Sequence, residues 1–231
     1  MTPGIAKVLA WSAASVLVYA LALKIYRWRN AHPFLIPVAT GAALIMALLA
    51  LLDEPYPVYA QSTGLLRSLI GPATVALAVP MFVQLQRLRS VWRELSATLL
   101  VGGAAAIALA MGLAWVLGAD ASLVASLAPK SATMPIAMPV AERFGGQASI
   151  TALAVAVTGV AGAIFSEPLL RWMRIRDDRV RGFAAGLTAH AIGLAREMQT
   201  SPVAGGFAAL AMCLNGVATA VMVPVVYRLL A

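Results

Sequence analysis

Hydrophobic positions in this chain come in long unbroken runs, without the alternation of a half-exposed strand or the 3.6-residue stripe of a water-facing helix. The runs cover residues 4–23, 33–52, 62–86, 95–117, 122–140, 150–170 and 203–229, and a shorter, more polar one covers 182–197. A helix needs roughly 20 apolar residues to cross a bilayer, so the pattern predicts an all-α polytopic membrane protein with about six to eight membrane segments, some broken or re-entrant. One integral membrane domain over 1–231 is expected. Within it, 1–57 supplies scaffold helices and 58–231 carries the motifs discussed below.

The polar punctuation between runs sets an expected topology. Lys24-Ile25-Tyr26-Arg27-Trp28-Arg29 closes the first run and Arg87-Leu88-Arg89-Ser90-Val91-Trp92-Arg93 the third. Basic and aromatic residues at such ends mark the cytoplasmic interface, which places the amino terminus outside. Asp53-Glu54-Pro55-Tyr56-Pro57 and Gly118-Ala119-Asp120 read as outer turns. The most basic segment, Arg171 to Arg181, then falls on the wrong side if every run crosses once. Either the charge rule is broken, or the 122–140 element enters and leaves on the outer side. Its prolines and short apolar arms favour re-entry. The 182–197 run reads as a half-helix or a second hairpin, and 203–229, with Asn215-Gly216 and Pro224, as a span that kinks.

Composition agrees. Of 231 residues, 61% are hydrophobic and 11% charged, and the mean hydropathy is +0.88, outside the range of soluble domains. The net charge of +8 sits in short loops at the ends of apolar runs, so it points to membrane orientation and not to nucleic acid. Lys7 and the run after it resemble a signal peptide, but no small-residue cleavage site follows, and the segment is expected to stay. Cys213 is the one cysteine. It excludes an intrachain disulfide or a cysteine metal cluster and reads as a small buried residue. Without a phosphate loop, a His-Glu-x-x-His or a nucleophile elbow, the chain is not expected to be an enzyme or to hold a metal.

The candidate chemistry lies in Pro129-Lys130-Ser131-Ala132-Thr133-Met134-Pro135, a cation and two hydroxyls between prolines. A charge at the bilayer centre costs on the order of 3 kcal/mol or more, so this segment must face protein or a watery cavity. An ammonium beside two hydroxyls and a helix break suits a carboxylate. The plainer alternatives are a lysine paired with a carboxylate such as Glu167, or one snorkelling to the membrane edge. Upstream, residues 71–80 match 130–139 at Ala/Thr, Ala and Pro with a constant offset, giving a possible internal repeat with Gly71 and Thr74 as its polar members. Broken elements that meet near mid-membrane commonly hold a transported solute, though a kinked helix explains Thr74 equally well. His190, among Ala, Gly and Thr, either meets substrate or a proton or is a hydrogen-bonded packing residue. Asn215 is a weaker candidate, since asparagine also serves to bridge helices.

These residues carry a resemblance. The stretches Leu69 to Ala78, Pro129 to Ala137, Arg174 to Arg176, and Arg181-Gly182 through His190-Ala191-Ile192-Gly193 resemble the LrgB/CidB family of bacterial inner-membrane proteins across most of the chain. The family implies two activities. Bacterial members are described as antiholin-like modulators of murein hydrolase activity and lysis, whereas relatives, including the LrgB-like part of the plastid glycolate/glycerate translocator, carry small carboxylates. The resemblance also implies a separate LrgA/CidA-like membrane partner and an inner-membrane location, and it raises His190 as a site residue.

Taken together, these features give the expectation of a secondary transporter of small monocarboxylates such as glycolate, glycerate or pyruvate. Lys130, Ser131, Thr133, Thr74, Gly71, His190 and Asn215 would line its site, H+ or Na+ would be a possible coupling ion, and no cofactor is needed. Membrane lipids and further copies of the chain are the other expected partners. The opposing expectation is an antiholin-like regulator that carries no solute.

Overall fold

The computed structural model describes residues 4–29, 32–69, 72, 75–76, 78–83 and 85–230, and among them it is helical with no strand. The helices are α1 (Ile5–Trp28), α2 (Pro37–Leu51), α3 (Tyr56–Ser62), α4 (Gly64–Ser68), α5 (Ala78–Val83), α6 (Leu85–Ser90), α7 (Trp92–Val116), α8 (Ala121–Leu127), α9 (Met134–Arg143), α10 (Ala148–Trp172), α11 (Asp178–Thr200) and α12 (Pro202–Leu230). Among the described residues four helices, α1, α7, α10 and α12, are long and apolar enough to cross a membrane. The expectation of about six to eight segments, some of them broken or re-entrant, is not confirmed at that level: the remaining described apolar sequence forms shorter and reversing elements, and part of the 62–86 run lies outside the described residues. Gly71 and Thr74 lie outside the described residues, and so does much of the proposed repeat.

The chain forms two compact units, Met1–Ala78 and Val79–Ala231; the sequence reading had separated 1–57 from 58–231 by motif and not by packing. In the first unit α1 packs against α2 and α3. Trp11 meets Tyr59 edge to face at 5.4 Å, Ser15 shares a 3.0 Å hydrogen bond with the Tyr59 hydroxyl, and Lys7 pairs with Glu54 at 2.9 Å.

The second unit contains two hairpins between long helices. The first is α8–α9. A continuous helix would hold Ser126 and Gln147 about 30 Å apart at 1.5 Å per residue, yet the Gln147 amide donates to Ser126 Oγ at 2.8 Å. Thr151 Oγ1 donates to the Ser126 carbonyl at 3.0 Å. The chain therefore turns back through 128–133, where Pro129 and Pro135 forbid a continuous helical ladder. Asp120 starts the descending arm by accepting from the Leu123 amide at 2.7 Å.

The second hairpin is α11 itself. His190 has φ 40°, ψ −127°, which no α-helix contains. Arg181 and Glu197, which an unbroken helix would separate by about 24 Å, form an ion pair at 2.7 Å, and a β-carbon at Gly193 would strike the Ala185 carbonyl. The arms 178–189 and 191–200 thus run antiparallel. Arm 178–189 then lies parallel to α12, because Gly182 meets the Ala204 main chain and Gly186 meets that of Ala208. Glycines four apart bring two backbones into contact.

Apolar clusters fill the two ends of this unit. Leu99, Phe183, Leu187, Phe207 and Ala211, with Val91 and Leu95, pack at one end. Ile107, Met111, Ala128 and Val223, with Phe144 and Tyr227, pack at the other. Since Val91 and Val203 belong to the first cluster, the beginnings of α7 and α12 share an end with the beginning of α11, and the arginines of 87–93 and 171–181 flank that same end.

Gly186→Ala should force arm 178–189 away from α12, since the added methyl would overlap the Ala208 main chain. A loss of about 1–3 kcal/mol is expected, read as a lowered unfolding temperature of the full-length protein in detergent, whereas Gly112→Ala, with open space around it, should be neutral.

Candidate functional site

The two hairpin apices meet between α10 and α12. Asn215, at the middle of α12 and 2% exposed, donates from Nδ2 to the Ser131 carbonyl at 2.8 Å and to the Leu187 carbonyl at 3.3 Å. Ser131 belongs to the apex of the first hairpin, and Leu187 lies three residues before the reversal of the second. Around this bridge the helices carry little side chain. A β-carbon at Gly103 would sit 3.6 Å from Asn215 Oδ1, one at Gly102 would sit 3.0 Å from Leu187, and one at Gly216 would sit 2.5 Å from Ile136.

His190 is 4% exposed, with Nε2 2.9 Å from the Val155 carbonyl of α10. A carbonyl only accepts, so Nε2 carries the hydrogen and Nδ1 remains available. Gly159 makes room for the ring on α10, and Gly162 for Ala189. Val155 in turn packs with Ala132 and Ala137 of the first hairpin. His190 and the Lys130 segment are therefore linked through Val155 as well as through Asn215.

Lys130 is half-buried at the apex. The alternative of a structural pair with Glu167 is not realised: Glu167 binds Arg171 and Arg196 instead. Among the described residues no carboxylate pairs with Lys130, and no side-chain partner engages the hydroxyls of Ser131 or Thr133. Thr133 occupies the N-cap of α9 without capping it, so its hydroxyl and the positive end of α9 both remain available. Asn215, expected to line the same site, has both N–H groups committed to main-chain carbonyls.

Sequence reasoning missed a charged lock at the arginine-rich end. Arg196 and Glu197 are 8% and 3% exposed. Arg196 reaches the Ala163 carbonyl and Glu167 of α10, while Glu197 holds Arg181, which also pairs with Asp178 at 3.2 Å. Nearby Asp177 caps α11 through the Arg179 amide at 2.8 Å, and the Arg179 guanidinium holds its carboxyl below the usual range. An adjacent Arg-Glu pair ending an apolar run was the available signal. The four-residue spacing of Gly182 and Gly186 was the signal for close packing.

A groove of about 350 Å³ runs along α7 and arm 178–189, from Glu94, Asp177 and Arg179 to Leu187 and Thr188, with Phe207 beneath. The first unit has a separate cavity of similar size, lined by apolar residues with Ser15, Tyr19, Tyr56 and Tyr59 and by no charged group. No cluster of His, Cys, Asp or Glu among the described residues is arranged to hold a metal ion.

Comparison with known proteins places these features in a family. The model of the LrgB-like family matches residues 15–229. A protein of Haemophilus influenzae described as uncharacterized is 31% identical over 94% of this chain and 93% of its own length. The uncharacterized protein YwbG of Bacillus subtilis is 33% identical over 91% and 93%. A protein of Bacillus mycoides named antiholin-like protein LrgB is 25% identical, covering 91% of each chain. No solved structure matches.

The reversal at His190 gives a direct test. A positive φ is strained for any residue with a β-carbon and open to glycine, so His190→Gly should be more stable than His190→Ala by about 1 kcal/mol. Thermal unfolding of both variants in one detergent reads the difference; equal stability would contradict the turn.

Proposed function

Because this chain belongs to the LrgB-like family, we propose that it serves as an antiholin-like protein of the bacterial inner membrane, modulating murein hydrolase activity and lysis. The name carried by relatives that match 91% of the chain supports this reading. That name describes an effect on a cell and leaves the molecular act open.

The site geometry favours a second, more specific reading: a secondary carrier of small monocarboxylates such as glycolate, glycerate or pyruvate. One observation carries it, the unpaired Lys130 at a hairpin apex beside the uncommitted hydroxyls of Ser131 and Thr133. A two- or three-carbon acid would place its carboxylate on the ammonium and the N-terminus of α9, with the hydroxyls as further donors. His190 Nδ1 would receive a hydroxyl or a coupling proton. Proline-broken, half-depth elements meeting between long helices are the usual frame of such carriers.

The same arrangement supports a consistent topology. With the arginine-rich end cytoplasmic, α7 runs outward, the α8–α9 hairpin re-enters from outside, and α10 returns. The α11 hairpin re-enters from inside, and α12 leads outward. Arms of 7 and 10 residues in the first hairpin are too short to cross a core of about 30 Å. An LrgA/CidA-like protein and further copies of the chain remain proposed partners.

Purified protein in vesicles separates the readings. Saturable uptake of labelled glycolate, glycerate or pyruvate that falls at least about tenfold in Lys130→Ala, as expected for a lost charge-assisted contact, supports the carrier. Full uptake by that variant would remove Lys130 from the site. No uptake of any of the three, alone or with an LrgA/CidA-like partner, together with altered lysis of cells lacking the protein, would leave the antiholin-like reading alone.

A further inference from the structure

We propose that Asn215 is a positioning residue that couples the two hairpins, so that neither apex moves without the other; its consequence for solute movement rests on the carrier reading, the coupling itself does not. Helix termini leave carbonyls without partners. Leu187 lies in the last turn of arm 178–189, where the reversal at His190 removes the amide that would have served its carbonyl. Ser131 lies in the apex of the first hairpin, between α8 and α9, where no helix serves its carbonyl. Both carbonyls accept from the same nitrogen, Asn215 Nδ2, at 3.3 and 2.8 Å.

A primary amide has two N–H groups, and both are used. Separating the apices therefore leaves a carbonyl and an N–H unpaired in a buried layer, a cost that fades only if Asn215 moves with one hairpin and the other follows. The surroundings hold the amide in place. Gly103 abuts Oδ1, and Ile136 lies on Gly216. Side chains such as Ser or Thr would reach one carbonyl, aspartate would present acceptors to both, and leucine would satisfy neither. Asparagine is the short side chain with two donors on one atom.

Hydrogen exchange of the full-length protein in detergent, followed by mass spectrometry, tests the coupling without reference to transport. In Asn215→Ala, amides in 128–133 and in 185–190 should both exchange about fivefold faster or more, while those of α1 in the first unit stay unchanged. Thr219→Ala, equally buried but outside the bridge, should leave both apices as they were. An unchanged apex on either side, or uniform acceleration across the protein, would overturn the proposal. Should Asn215→Ala fail to fold, Asn215→Ser retains one donor, and protection unchanged at both apices in that variant would overturn it equally. In vesicles, coupling predicts that Asn215→Ala lowers the maximal uptake rate about tenfold while half-saturation moves less than about threefold, as for loss of a conformational step and not of a binding contact. A parallel loss of rate and affinity would place Asn215 in the binding site and overturn the positioning role. A wild type that carries no carboxylate would end the carrier reading and leave the exchange result to decide the coupling.

Discussion

A chain that reverses direction among apolar neighbours strands main-chain carbonyls that lipid and hydrocarbon side chains cannot serve, at several kcal/mol for each one left unpaired. The second unit of this protein does so twice. The Ser131 and Leu187 carbonyls are satisfied by one asparagine amide, and the histidine at the tighter reversal is held by a carbonyl of α10. Once those bonds are required, the positions of the hairpins, of α10 and of the middle of α12 follow from one another.

Small residues make the required approach possible. Gly182 and Gly186 bring the α11 hairpin against α12, Gly159 and Gly162 bring it against α10, and Gly193 lets its arms touch. Such contacts gain van der Waals attraction where the hydrophobic effect offers nothing between helices in lipid. Charge is then distributed unevenly. Arg171, Arg181 and Arg196 share the carboxylates of Glu167 and Glu197 at the arginine-rich end, while Phe144 stacks on Tyr227 at 4.4 Å at the other. No carboxylate among the described residues pairs with Lys130.

An antiholin-like effect and the binding of a small acid concern different levels of description. A membrane protein that binds an anion between two coupled hairpins has a natural two-state element, and either solute movement or a regulatory change follows from biasing it. The carrier reading draws on the uncommitted donors at Lys130, Ser131 and Thr133, and the antiholin-like reading on kinship.

The membrane class and the exceptional status of Lys130 were legible in the sequence, and the arginines at run ends raised re-entry of the 122–140 element as one of two resolutions. They depend on local quantities: the length of apolar runs, the cost of one charge, and the count of arginines at run ends. The sequence also isolated His190 and Asn215 as polar residues in apolar runs. It left open whether Lys130 was paired with Glu167, whether 182–197 was a half-helix or a hairpin, and what Asn215 did, because the deciding partners lie 16 to 84 positions away. Only the tertiary structure assigned Glu167 to Arg171 and Arg196, folded α11 back on itself at His190, and set Asn215 between the two apices. Burial and hydrogen-bond satisfaction are properties of the packed layer, and local sequence carries no record of which distant carbonyl will need a donor.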